Sequence, residues 1–380
     1  MSIKKIMLVF GTRPEAIKMA PLFHELIKYP KTFETLICVT AQHRALLDQV
    51  LDIFEINPDF DLNVMTPNQD LSELTSSILL KMKAVLLAEK PDIILVHGDT
   101  TTTFATALAA FYIGIPIGHI EAGMRTGNIS NPFPEEFNRQ IVGRIAKWHF
   151  APTDKCKNNL LLEKTPDRDI LVTGNTVVDS LFWVLNRLNE SHNLLHNISS
   201  QLTNILKFNW REERFVLVTG HRRENFGLGL KNVCMAIRES AIMYPHVHFV
   251  YPAHLNPNVQ KAVNEIVGSS PNIHICSPMG YEMFVLLMKH SFFVITDSGG
   301  IQEEAPSLGK PVLVTREVTE RPEAVEVGTV KLVGTNQKKI TSKIIELLND
   351  NTIYQEMSKA HNPYGDGYAS SRIVGKLKEF

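Results

Sequence analysis

Short apolar runs rich in β-branched residues alternate with stretches of helical spacing, and this alternation runs through the chain twice. Runs at 6–10, 35–39, 93–96, 116–120, 148–151 and 170–172 predict a first set of strands. The pattern restarts at 215–218 and continues at 247–250, 273–276, 292–295, 312–314 and 330–332. Strands that are apolar along their length and separated by helices are covered on both faces. They belong to parallel, doubly wound sheets in an α/β protein. At 380 residues the chain exceeds one ordinary core, so about two domains are expected. The boundary is placed at Gly174-Asn175-Thr176, giving domains 1–173 and 174–363. The polar segment 186–209 carries Leu194, Leu195, Ile198, Leu202 and Ile205 at helical spacing, which predicts helix rather than linker. Residues 368–380 read as a last helix after the breaker run Asn362-Pro363-Tyr364-Gly365-Asp366-Gly367, and spacing alone does not place it.

Composition removes several function classes. Lys plus Arg number 39 against 40 Asp plus Glu, a balance that supplies no field for nucleic acid or an anionic membrane. No apolar stretch approaches the roughly 20 residues of a membrane span. The N-terminal run ending at Gly11 reads as a buried strand, not a signal peptide. Cys38, Cys156, Cys234 and Cys276 show no CxxC or Cys/His spacing, so neither a zinc site nor a disulfide framework is expected. Cytoplasmic residence is the corresponding expectation.

Ligands of open α/β sheets bind beyond the carboxyl ends of strands. Those ends carry Gly11-Thr12-Arg13-Pro14-Glu15, Gln42-His43-Arg44, His97-Gly98-Asp99, Glu121-Ala122-Gly123, Gly220-His221-Arg222-Arg223-Glu224 and Asp297-Ser298-Gly299-Gly300. Ser298, Gly299 and Gly300 form a tight strand-to-helix turn suited to a diphosphate, unless Ser298 merely caps the helix. A carboxylate one turn on, Glu304 or Glu303, can accept ribose hydroxyls. Arg13 can reach a phosphate bidentately, with Pro14 suited to the first helical position. Lys18, one turn further, reads equally as a solvated lysine or a site residue. Neither GxxxxGK[ST] nor GxGxxG is present, which argues against ATP hydrolysis and nicotinamide chemistry. Asp99, Glu121 and Glu135 are the acid/base candidates. Asp99 could instead cap a helix near Thr100, and Glu135 or Glu136 could serve only the helix dipole, whereas Glu121 precedes Ala122-Gly123 and has no capping role. His221, in a basic loop after a strand, can stabilise charge or donate to a phosphate oxygen.

Together these blocks, with Phe10 through Lys18, Val96 through Thr100, His119 through Gly123, Thr219 through Asn225 and Thr296 through Glu304, resemble the non-hydrolysing UDP-N-acetylglucosamine 2-epimerases of bacteria. The resemblance spans the chain and keeps the motif order. It implies a glycosyltransferase-B-like fold, two Rossmann-like domains around a cleft, with the final helix at 364–380 crossing back to the first domain. It also implies a homodimer, no metal or other cofactor, and interconversion of UDP-N-acetylglucosamine with UDP-N-acetylmannosamine for bacterial surface polysaccharide. Arg13, His221, Ser298, Gly299, Gly300 and Glu304 would bind UDP, with Lys18, Asp99, Glu121 and Glu135 at the sugar and Arg321 beside the nucleotide. Gln42, Glu135, Arg222 and His254 match a pocket in which some relatives hold UDP-N-acetylglucosamine as an activator.

Such a reaction needs more than one carboxylate. C2 of the sugar has no adjacent carbonyl, so its proton is too weakly acidic for direct removal. Departure of UDP builds positive charge at C1 and acidifies the neighbouring C–H. Elimination to a glycal, reprotonation at C2 from the other face and re-addition of UDP follow. A transferase of the same architecture, a hydrolysing 2-epimerase and a non-enzymatic UDP-sugar sensor remain open at this point.

Overall fold

The computed structural model describes residues 3–41, 44–220, 222, 225–268 and 270–379. The first half alternates strand and helix: β1 (Lys4–Phe10), α1 (Arg13–Leu26), β2 (Phe33–Val39), α2 (Arg44–Ile53), β3 (Phe60–Asp61), α3 (Leu71–Glu89), β4 (Ile93–His97), α4 (Thr101–Ile113), β5 (Ile117–Ile120), α5 (Glu135–Ile145), β6 (Trp148–Ala151), α6 (Asp154–Leu162), β7 (Ile170–Val172) and α7 (Thr176–Glu190). The second continues with α8 (His192–Leu206), β8 (Phe215–Thr219), α9 (Leu228–Met243), β9 (His248–Pro252), α10 (Pro257–Val267), β10 (Ile273–Cys276), α11 (Tyr281–His290), β11 (Val294–Thr296), α12 (Ile301–Ser307), β12 (Val312–Val314), α13 (Pro322–Glu326), β13 (Val330–Leu332), α14 (Gln337–Asn349), α15 (Asn351–Lys359) and α16 (Ala369–Glu379).

Every predicted run is a strand, with ends moved by a residue or two. The predicted helix in the polar segment is α8 together with the end of α7. Among the described residues β3 is the one strand not predicted, because Phe60–Asp61 is too short to show as an apolar run. One sheet has the order β3-β2-β1-β4-β5-β6-β7 and the other β10-β9-β8-β11-β12-β13, and all neighbours pair in parallel. In each, the chain reverses its direction of growth between two adjacent strands, β1 and β4 in the first and β8 and β11 in the second. Such switch points open a crevice at the carboxyl ends.

The chain divides into two compact units, Met1–Ser180 with Tyr364–Phe380, and Leu181–Pro363. The division falls inside α7 and not before Gly174. The first turns of that helix are bound to the first unit, where Ser180 Oγ donates to Ile17 O at 2.5 Å. In the first unit Met7, Val9, Ile94 and Val96 pack against Ile78, Met82 and Leu86 of α3. In the second, Val216, Val218, Phe249 and Ile295 meet Val233 and Ile237 of α9 and Ile340 and Ile344 of α14. Each such side chain contributes about 1.5–3 kcal/mol of apolar burial, which fixes the sheets and leaves the strand ends to carry polar groups.

Candidate active site

The first cluster lies at the carboxyl ends of β1, β4 and β5. Thr12 caps α1 in a reciprocal box with Glu15, and Pro14 occupies the first turn. Glu15 does more than cap. Its buried carboxylate accepts from Gly11 N (3.1 Å), Thr12 N (2.8 Å), Thr100 Oγ1 (2.6 Å) and Thr103 Oγ1 (3.2 Å), binding the loop after β1 to the loop after β4. Gly11 is required here, since a Cβ would lie 1.9 Å from Thr40 Oγ1. Helix α1 is thereby aimed so that Lys18, one turn in, is buried and hydrogen-bonds Glu121 Oε2. Lys18 is therefore not a solvated surface lysine. Glu121 follows β5 with φ 63°, an uncommon conformation for a non-glycine residue and a mark of functional positions. Asn175 Nδ2 donates to the same Oε2 at 2.6 Å, and His97 Nε2 lies 3.8 Å from it.

Asp99 does not cap α4; Thr100 does, accepting from Thr103 N. Asp99 instead pairs with Arg139 of α5, whose guanidinium also reaches Glu136 Oε2 at 3.3 Å. Asn138 Nδ2 holds the Asp99 carbonyl at 2.8 Å. Burial pushes the Asp99 carboxyl above its ordinary range against the pull of Arg139, and the charges of Glu121 and Glu135 push the same way. Glu135 is half-buried at the start of α5, while Glu136 is fully buried and accepts from Thr126 N at 3.0 Å. Burial lowers His97 to about 4, so its imidazole is neutral beside the Lys18–Glu121 pair. Arg13 begins α1, half-buried.

The second cluster lies at the carboxyl ends of β8 and β11. Asp297 Oδ2 accepts from Arg222 N (2.9 Å) and Asn225 Nδ2 (3.3 Å), which fastens one loop to the other. Ser298 does not cap α12; Gly300 is the cap residue, and Ser298 N donates to Thr296 Oγ1 at 2.9 Å. A Cβ on Gly299 would meet Arg321 Nη1 at 2.6 Å, so the glycine lets that guanidinium lie against the turn. Arg321 is held there by Glu303 Oε1 at 2.6 Å. Glu303 is thus engaged, and of the two acidic candidates Glu304 is the one held by a neutral donor, Tyr281 Oη at 2.6 Å. His254 is exposed and its Nδ1 accepts from Asn256 N at 3.1 Å. His221 and Gln42 lie outside the described residues.

A family model described as UDP-N-acetylglucosamine 2-epimerase matches residues 25–378. A UDP-N-acetylglucosamine 2-epimerase of Salmonella typhimurium is 54% identical over 376 residues, 99% of each chain. The chain belongs to the UDP-N-acetylglucosamine 2-epimerase family. A crystal structure of the Neisseria meningitidis UDP-GlcNAc 2-epimerase bound to UDP-GlcNAc is 51% identical, covers 99% of this chain and 100% of its own, and superposes with a TM-score of 0.91. The Methanocaldococcus jannaschii epimerase in complex with UDP-GlcNAc and UDP is 33% identical over 99% of this chain and 100% of its own, with a TM-score of 0.83. The two Rossmann-like units are the glycosyltransferase-B-like architecture of these epimerases. Among the described residues, no group of three or more His, Cys, Asp or Glu could hold a metal, and no helix is long and apolar enough to cross a membrane.

Sequence reasoning passed over four residues of these clusters. His97 directly follows the predicted strand at 93–96 but carries no sequence signal of a role, Arg139 sits mid-helix, and Tyr281 is distant in sequence from Glu304. Asn175 enters the sequence reading only as part of the domain boundary at Gly174-Asn175-Thr176, although it follows a predicted strand as directly as Asp99 does.

Proposed function

We propose that the chain interconverts UDP-N-acetylglucosamine and UDP-N-acetylmannosamine without hydrolysis, by eliminating UDP to an enzyme-held glycal, exchanging the C2 proton and re-adding UDP. The observation that carries this reading is the buried Lys18–Glu121 pair beside Asp99, at the strand ends of a family member. A carboxylate against an ammonium is suited to be ionised and to take the C2 proton. Asp99, displaced upward, is suited to hold a proton for return. Glu135 is the third carboxylate of the set. Arg13, His221, Ser298, Gly299, Gly300, Glu304 and Arg321 are assigned to UDP. There they would stabilise the departing diphosphate and hold the ribose, work that needs donors placed in advance.

Three further assignments belong to the same proposal. The chain acts as a homodimer in the cytoplasm, and Gln42, Glu135, Arg222 and His254 serve a second, activating molecule of UDP-N-acetylglucosamine.

Proton NMR of the protein with UDP-N-acetylglucosamine in D2O tests the reaction. UDP-N-acetylmannosamine carrying deuterium at C2 is the expected product. Free UDP with free N-acetylmannosamine would assign the hydrolysing reaction instead. A spectrum that changes only on adding an acceptor would assign a transferase.

A further inference from the structure

Glu121 is held by more than Lys18. Asn175, 2% exposed, donates from Nδ2 to Glu121 Oε2 at 2.6 Å. Its Oδ1 accepts from Val177 N at 3.0 Å, so the amide is oriented by its network and presents nitrogen, not oxygen, to the carboxylate. Its main-chain N–H donates to Tyr364 O at 2.7 Å.

Those partners place Asn175 where the chain departs from and re-enters the first unit. The departing pass continues into α7, and the returning one begins at Tyr364. The passes touch backbone to backbone. A Cβ on Gly174, at φ 86°, would lie 3.2 Å from Gly365 Cα. Arg372 Nη1 closes the join on Thr173 O at 2.9 Å. Glycine at 174 and 365 makes the approach sterically allowed, and Asn175 is the residue of the join whose side chain reaches the carboxylate.

We infer that Asn175 is a positioning residue for Glu121: its uncharged hydrogen bond fixes the oxygen that Lys18 shares, favours the ionised carboxylate, and ties it to the joined segments at 173–175 and 364–365. The inference rests on the reading that Glu121 exchanges the C2 proton. A donor to the charged form favours that form without adding a charge that would compete for the substrate. Lys18 alone could neutralise Glu121, but an ammonium on a flexible stem does not fix its orientation.

The test follows deuterium at C2 by proton NMR from pH 5.5 to 9.5 in the full chain and in Asn175→Leu and Asn175→Asp. For Asn175→Leu, kcat should fall about 10–100-fold with KM nearly unchanged, and the limb of the kcat profile set by Glu121 should move up by about one pH unit. Asn175→Asp keeps the shape but sets two carboxylates face to face, so it should be active only where the pair shares a proton, with its optimum moved to acid. Asn175→Leu added to Glu121→Gln should slow the enzyme no further. A profile for Asn175→Leu that overlays the parent, or a loss found only in KM or only as unfolded protein, overturns the inference. If the parent chain itself incorporates no deuterium, the proposed epimerisation falls and this inference with it; incorporation by the parent with unmoved variants sinks the Asn175 assignment alone.

Discussion

Lys18 of α1 hydrogen-bonds Glu121 at the end of β5, and both side chains are about nine-tenths buried, at 10% and 8% exposure. Removing one partner of a buried pair leaves the other charge uncompensated, which costs about 3–5 kcal/mol in general. Lys18→Met should therefore destabilise the chain by about 3–5 kcal/mol in urea unfolding and abolish turnover. Lys18→Met with Glu121→Gln should recover much of the stability and none of the activity. Equal and additive losses would show that the two residues do not act as a pair.

Tyr281 and Glu304 allow a cleaner separation of binding from chemistry. Tyr281 Oη donates to Glu304 Oε1 at 2.6 Å within the second unit, whereas the carboxylates assigned to the sugar belong to the first. Tyr281→Phe removes one donor and little volume. UDP affinity by titration calorimetry should weaken about tenfold, as expected for a charge-assisted hydrogen bond, with kcat nearly unchanged. Unchanged UDP affinity would remove Glu304 from the nucleotide site.

These clusters were partly legible in the sequence, for a physical reason. In a doubly wound sheet the strand ends are where backbone donors and polar side chains gather, so a strand prediction marks the loops to inspect. Asp99, Glu121 and the Ser298 turn were found that way. Lys18 was not decidable, because spacing on a helix does not say how far the helix is sunk, and that depends on Glu15 binding two loops together. Arg139 and Tyr281 are set by tertiary packing and leave no local signal. Asn175 did leave one: the rule applied to 93–96 and 116–120, applied also to 170–172, points to it.

Buried histidines make stability acid-sensitive. Burial lowers His97 and His149 to about 4 and His119 to about 3. These values lie below the unfolded value near 6.5, so the stability the three confer is complete above that pH and is lost as pH falls toward 4. Each loses on the order of 2 kcal/mol between pH 7 and 5. Urea midpoints should drop steeply over that window. His149→Gln should flatten the slope by about one proton without touching Glu121, and an unchanged slope would show that His149 is already charged in the folded chain.

The C-terminal helix depends on a cap supplied from elsewhere in the chain. Asp179 of α7, 7% exposed, accepts from Ala369 N at 3.2 Å and Ser370 N at 2.7 Å, the first two N–H groups of α16. Helix α16 packs on α1, and Ile373, Val374 and Leu377 are buried. An own N-cap is commonly worth about 1 kcal/mol, but here removal also leaves two buried donors unpaired at about 1–3 kcal/mol each. Asp179→Ala should cost about 2–4 kcal/mol, and Asp179→Asn, which keeps one acceptor oxygen, less than half of that. Because α1 carries Lys18, loosening α16 should also lower kcat. Limited proteolysis should then release a fragment beginning near Tyr364 from the alanine variant before the parent is cut. If the alanine variant resists protease and unfolds with the parent, hydrophobic packing on α1 holds the helix without the cap.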